Sequence, residues 1–119
     1  MAVGFDIEAA EVALALRQEL IGLSVVAIVP FEGVERRFPA AQQRLFSDII
    51  AKADNVITLA THYSASVYAQ RNNYLVDNSS ACIAYFDGSK GGTAYTVHRA
   101  IKGLLELHNI YPNPQRKLF

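Results

Sequence analysis

Ala81-Cys82-Ile83-Ala84-Tyr85-Phe86-Asp87-Gly88-Ser89-Lys90-Gly91-Gly92-Thr93 is the stretch on which the fold turns. Its first six residues are mostly apolar and suit a short buried strand. Its next seven form a glycine-rich turn. A helix is expected from Thr93 to Lys102, with Gly103 as its stop, and a last strand over Leu107–Tyr111 before Pro112. Strand, glycine turn, helix and strand is the order of a parallel β-α-β unit, whose crossover a helix must supply.

Working toward the N-terminus, the same alternation recurs. Ala65–Val76 is expected to be helical after a polar turn, Thr61-His62-Tyr63-Ser64. Asn55–Ala60 is expected to be a strand. Pro39–Ala53 is expected to be a helix, with proline at its start and Leu45, Phe46, Ile49 and Ile50 as an apolar stripe. Ser24–Val29 is a run of mostly apolar residues rich in valine and isoleucine, ended by Pro30. Such a run suits a strand buried on both faces, as in a parallel sheet. Asp6–Leu20 is rich in alanine and leucine and is expected to be a helix stopped by Gly22. Helices and strands alternating in this way predict an α/β fold: a three-layer, Rossmann-like open parallel sheet with helices on both faces. One domain over residues 1–111 and a loosely ordered tail over 112–119 are expected.

Composition narrows the function. The chain has 119 residues, 51% of them hydrophobic and 18% charged, with 11 Lys plus Arg against 11 Asp plus Glu. Zero net charge argues against sequence-independent nucleic-acid binding, which needs a basic surface. It leaves room for a small anionic ligand, because backbone N–H groups and one or two cations can hold a phosphate. The single cysteine, Cys82, excludes an intrachain disulfide and reads as a buried small hydrophobe. No Cys/His cluster or HExxH spacing points to a metal, and no cofactor is expected. No stretch has the length and apolarity of a membrane span and none reads as a signal peptide, so the expected location is the cytoplasm.

In open parallel sheets, ligands bind outside the carboxyl ends of the strands, where loops enter helix N-termini. The turns after Val29, Ala60 and Phe86 are therefore the candidate places. In the last of them, Asp87, Gly88, Ser89, Gly91, Gly92 and Thr93 are candidate ligand contacts. Glycines let backbone approach a phosphate, and Thr93 can cap the helix or donate its hydroxyl to an oxyanion. The spacing is neither that of a Walker A loop nor GxGxxG, and taken alone the stretch reads first as an ordinary flexible turn with Thr93 as helix cap. Arg71 and Asn72 on the preceding helix are further candidates, the alternative being a solvated face. His62 offers a ring donor at a second strand end, or a structural hydrogen bond. Asp6, after Gly4, can accept from ribose hydroxyls or merely favour a helix N-terminus. His98 and His108 read as structural or exposed.

Four stretches taken in order resemble a known family: Met1–Asp6 with Ala9-Ala10-Glu11 behind it, Val29-Pro30-Phe31-Glu32, Tyr68–Asp77, and Asp87–Thr93. They are similar to the YpsA/YoqJ-like branch of the SLOG superfamily. That Rossmann-like group includes the LOG phosphoribohydrolases, the DNA-processing protein DprA and nucleotide-signal sensors. The resemblance implies a pocket shared by the Gly4/Asp6 loop, Arg71 and the 88–93 turn, with a nucleotide-like small molecule as ligand. LOG enzymes follow a PGGxGTxxE pattern. Aligning Gly92-Thr93 with its GT puts Thr96 where the catalytic glutamate belongs, and Asn72 where an Arg-Lys pair would have its lysine. Nucleotide binding or sensing is therefore the leading expectation. LOG-like N-glycosidic hydrolysis, through another carboxylate such as Asp6 or Asp87, is the alternative, and single-stranded DNA binding a second. The resemblance also implies an N-terminally incomplete domain. Relatives begin with a strand, a helix and another strand, so an internal start, a fragment, or an edge covered by another subunit is expected. Because an open apolar edge invites aggregation, a homo-oligomer or a trimmed longer protein follows.

Overall fold

A computed structural model of the chain describes residues 5–112. The order is helix α1 (Phe5–Arg17), strand β1 (Val26–Val29), a 3₁₀ turn (Val34–Arg37), α2 (Ala40–Lys52), β2 (Asn55–Thr58), α3 (Val67–Asp77), β3 (Ala81–Ala84), α4 (Gly92–Lys102) and β4 (Glu106–Asn109). The fold is α/β, and its short parallel strands in two small sheets are consistent with a Rossmann-like fold. β1 pairs with β2, and β3 with β4. The chain divides into two compact units, Met1–Arg71 and Asn72–Phe119, the division falling within α3.

The first unit is built around Ile7, Val29, Phe31, Val34, Phe46, Ile49 and Val67. Consecutive strand residues point to opposite sides, so burial of Ala27, Ile28 and Val29 together means that both faces of β1 are covered there. In α1, Ile7 is buried, and Ala10 and Leu14 pack beside the core at helical spacing. Asp6 and Glu8 in its first turn and Arg17 in its last complement the helix dipole. α1 is shorter than the sequence suggests. It ends at Arg17, and Leu20 is 53% exposed. Leu16 and Leu20 lie off the core-facing stripe, so little packing energy holds the helix beyond Arg17. Gly22 still adopts the left-handed φ of 90°, but in the turn after the helix.

The four-residue ladder of β1 and β2 is secured at its start by Asp54. The Val25 N–H donates to its carboxylate at 2.7 Å and the Arg17 guanidinium at 2.9 Å. One side chain thus ties the end of α1 to the entries of both strands. The backbone hydrogen bond first, and Arg17 second, hold the Asp54 carboxyl below its ordinary range.

In the second unit α4 packs against β3 and β4. Its buried apolar residues include Val76, Ala84, Val97 and Ala100. The helix stops at Gly103 as expected. Gly103 is the C-cap with φ −80°, and Leu104 carries the left-handed turn at φ 61°. The Leu105 N–H then reaches the Ala100 carbonyl at 3.0 Å, closing the turn. Gly103 serves close approach instead: a Cβ there would stand 3.3 Å from the Arg99 carbonyl oxygen.

Two outcomes follow. A depressed carboxylate stabilises the fold above the ordinary carboxylate range and loses that contribution as pH falls through its lowered value. Asp54→Ala should therefore lower the thermal midpoint by a few degrees near pH 7, and the gap from the parent should narrow as pH falls below the ordinary aspartate range. Leu104 is 92% exposed and buries little, while its conformation is one that glycine adopts freely. Leu104→Gly should stabilise by about 0.5–1 kcal/mol in urea unfolding.

Candidate functional site

The turn between β3 and α4 is shaped by its own side chains and two conformational glycines. The Asp87 carboxylate accepts from the Ser89 backbone N–H at 2.8 Å and from the Ser89 hydroxyl. These bonds keep the Asp87 carboxyl below its ordinary range, so it is ionised at neutral pH. Gly88 and Gly91 hold φ of 93° and 140°, values that L side chains rarely adopt. Gly91 is the N-cap of α4, and no side chain caps that helix. Thr93 is therefore not the cap that the sequence allowed. The helix starts one residue earlier, and Thr93 lies exposed in its first turn. The leading N–H groups of α4 have no intrahelical acceptor by geometry, and the helix dipole adds positive character there.

Residues 89–93 wall a cavity of about 220 Å³ together with Tyr85, Phe86, Asp87 and Tyr111. Gly88 shapes the turn without lining it. Lys90 is an exposed cation at its wall. The far wall is fixed by a residue that sequence reasoning missed. The Asn109 side chain accepts from the Phe86 N–H at 3.1 Å and donates to the Phe86 carbonyl at 2.9 Å. It also accepts from the Tyr111 N–H at 3.1 Å. One amide therefore extends the β3–β4 pairing past its last rung and sets Phe86 and Tyr111 beside the turn. The Tyr85 and Tyr111 rings meet edge to face, centroids 4.8 Å apart.

In the first unit Asp6 and Arg71 come together, the guanidinium donating to the carboxylate at 3.3 Å. The Arg71 side chain is 8% exposed and that of Asp6 is 42% exposed. Arg71 is therefore not on a solvated face. It follows Val67 by one helical turn, on the side of α3 that enters the core. His62 lies exposed in the turn after β2, and Asn72 is half-buried on α3. In the same turn, Tyr63 carries the Arg37 guanidinium 4.4 Å above its ring. Gly4 and residues 113–119 of the expected tail lie outside the described residues.

Other expected roles are also placed. Cys82 is a half-buried free thiol, and burial pushes it up from its ordinary value, away from thiolate chemistry. His98 is exposed and meets Phe86 edge to face, and exposed His108 stands 3.0 Å from Glu106. The Thr96 hydroxyl donates to the Gly92 carbonyl at 3.0 Å, inside its own helix. Among the described residues, no helix is long and apolar enough to cross a membrane.

Comparison with known proteins agrees with the sequence resemblance. The family model YpsA, described as the YspA SLOG family, matches residues 1–112. A UPF0398 protein of Bacillus velezensis is 28% identical over 103 residues, covering 84% of this chain and 57% of its own length. One from Bacillus pumilus is 28% identical over 93 residues, covering 76% and 50%. One from Bacillus thuringiensis is 25% identical over 111 residues, covering 92% and 60%. The chain thus spans about half to three-fifths of the length of these curated relatives. With the match running through every helix and strand of the described residues, the chain belongs to the YpsA family of SLOG domains.

Proposed function

We propose that this chain binds or senses a nucleotide-type anion, with the phosphate at the glycine-rich turn before α4. The observation that carries the reading is Gly92. It is the first residue of α4, and its φ lies outside the left-handed region. A Cβ at that position would meet no heavy atom within 4 Å. Neither backbone conformation nor packing calls for glycine there, and glycine is a poor helix former. What it supplies is bare backbone at the cavity wall, where an anion can approach the N–H groups of the first turn. Lys90 adds a cation at the same wall. A neutral chain can hold a phosphate this way because the positive field is local.

Binding is favoured over LOG-type hydrolysis by residue 96. A threonine cannot exchange a proton as a carboxylate does or stabilise an oxocarbenium ion. Its hydroxyl is also committed to the Gly92 carbonyl. Asp87 spends its carboxylate on the turn.

Self-association belongs to the same proposal. Val12, Leu20 and Ile21 are 58%, 53% and 107% exposed on α1 and the turn after it. Apolar surface of this kind favours cover by a partner. Sedimentation velocity should give a dimer or larger species, and a monomer at tens of micromolar would end this part of the reading.

The binding test is a thermal-shift panel of nucleoside mono-, di- and triphosphates. At least one should raise the midpoint by several degrees, since a ligand at 100 times its Kd contributes about 2.7 kcal/mol. Gly92→Ala should keep the fold and lose the shift. No shift from any nucleotide with a folded sample, or an unchanged shift in Gly92→Ala, would refute the reading. AMP incubated with the protein should be recovered intact, and release of adenine would mark hydrolysis instead.

A further inference from the structure

We propose that a second copy of this chain docks on the open edge of β3, the two strands running antiparallel about a two-fold axis at Cys82. This rests on the self-association reading above and adds where the copies meet, on a surface separate from α1.

The edge follows from the hydrogen bonding of the ladder. The Glu106 N–H donates to the Ser80 carbonyl at 3.2 Å, and the Ile110 N–H to the Ala84 carbonyl at 2.8 Å. The Phe86 N–H turns the same way, to the Asn109 side chain. Even-numbered residues of this stretch therefore present their backbone groups to β4. Backbone groups alternate along a strand, so Ala81 and Ile83 present theirs to the opposite edge. Among the described residues no strand pairs there, because the sheet consists of β3 and β4 alone. Ala81 is exposed, and Ile83 is 65% exposed.

Proteins blunt such edges with lysine, proline or other charged side chains. β4 carries Glu106 and His108, whereas Ala81-Cys82-Ile83-Ala84 has neither charge nor proline. An uncharged open edge of this kind accepts an added strand through its main chain.

The edge is complementary to itself. Antiparallel pairing alternates hydrogen-bonded and non-hydrogen-bonded residues. With Ala81 opposite the partner's Ile83, and Ile83 opposite the partner's Ala81, every outward backbone group of these residues is used. Each bulky Ile83 then lies beside a small alanine. No like charges oppose across the axis, because the strand carries none. Exposed Ile110 lies two residues past His108, which is in register with Ile83, so both isoleucines share one face. Pairing makes that apolar face continuous across the copies. It also turns two marginal two-stranded sheets into one of four strands, joined by a closed two-fold interface.

Cys82 and the partner's Cys82 form the non-hydrogen-bonded pair on the axis. Cα atoms of such a pair stand about 4.5 Å apart, within disulfide range. Cys82 is the single cysteine of the chain, so it reports the register directly. Under mild oxidation with diamide, the parent should run as a disulfide-linked dimer on a non-reducing gel. A chain with Cys82→Ser and Ser47→Cys, its thiol exposed on α2, should stay largely monomeric on that gel. Ile83→Lys places a charge on the edge without touching the bonds to β4, and should lower the cross-linked fraction about tenfold or more. Ile83→Val should retain it. If the parent associates in sedimentation without cross-linking, the edge pairing is overturned and self-association stands. The same holds if Ile83→Lys or the Ser47→Cys chain cross-links as well as the parent. A monomeric parent overturns both. Should Ile83→Lys fail to fold, the parent against the Ser47→Cys chain decides the question.

Discussion

Parallel pairing of four-residue strands is the constraint from which the rest follows. Parallel neighbours cannot be closed by a hairpin, so each pair needs a crossover. α2 supplies it between β1 and β2, and α4 between β3 and β4. Ladders this short make few hydrogen bonds, and each net bond is worth only about 1 kcal/mol. Side-chain polar groups extend both. Asp54 takes the N–H of Val25 where the first ladder begins, and Asn109 pairs with both backbone groups of Phe86 where the second ends. A crossover helix must also start near the carboxyl end of its strand. That rule brings the N-terminus of α4 to the turn after β3 and creates the candidate site.

Arg71 shows how an ionic group is accommodated in such a fold. Burying a guanidinium costs several kcal/mol unless charge and hydrogen bonds compensate it. Its position one turn after the fully buried Val67 commits it to the interior side of α3. Asp6 meets it from the first turn of α1, where a carboxylate is already favoured by the helix dipole. The pair joins two helices 65 residues apart in sequence. Any functional role for Arg71 is therefore superimposed on a structural one. Gly92 carries no such double duty, and for that reason it is the sharper probe of binding.

Much of this was legible in the sequence because it depends on local chemistry. The Ser24–Val29 run, Pro39 before α2, and the glycine turn before α4 each placed an element to within two or three residues. Errors arose where long-range packing overrode a local signal. Leu20 and Gly22 suggested a longer first helix, but nothing packs strongly enough to hold it. Gly103 does stop α4, but the left-handed residue is Leu104, which no local signal marks, while the glycine admits the close approach of the Arg99 carbonyl. Arg71 could be read as solvated or ligand-facing because a polar row, Gln70–Asn73, hides which member faces inward. Asn109 was invisible for a different reason. Its role depends on the β3–β4 register, which sets Ala84 opposite it and Phe86 just beyond.

The chemistry of the turn fits the proposed phosphate binding better than cleavage of a glycosidic bond. Cleavage requires a carboxylate free to act at the sugar, whereas binding requires donors and a positive field. Here the turn's own carboxylate, Asp87, is ionised and occupied in holding Ser89. Left unengaged, that negative charge would oppose an incoming phosphate more strongly, so its hydrogen bonds to Ser89 both shape the turn and partly offset the repulsion. The residue one helical turn into α4 is Thr96, whose hydroxyl is bonded back to Gly92. What faces the cavity from this end is backbone N–H, Lys90 and the exposed first turn of a helix. The fold supplies that arrangement to many chemistries, and it is the identity of residue 96 that favours the proposed reading of recognition over cleavage.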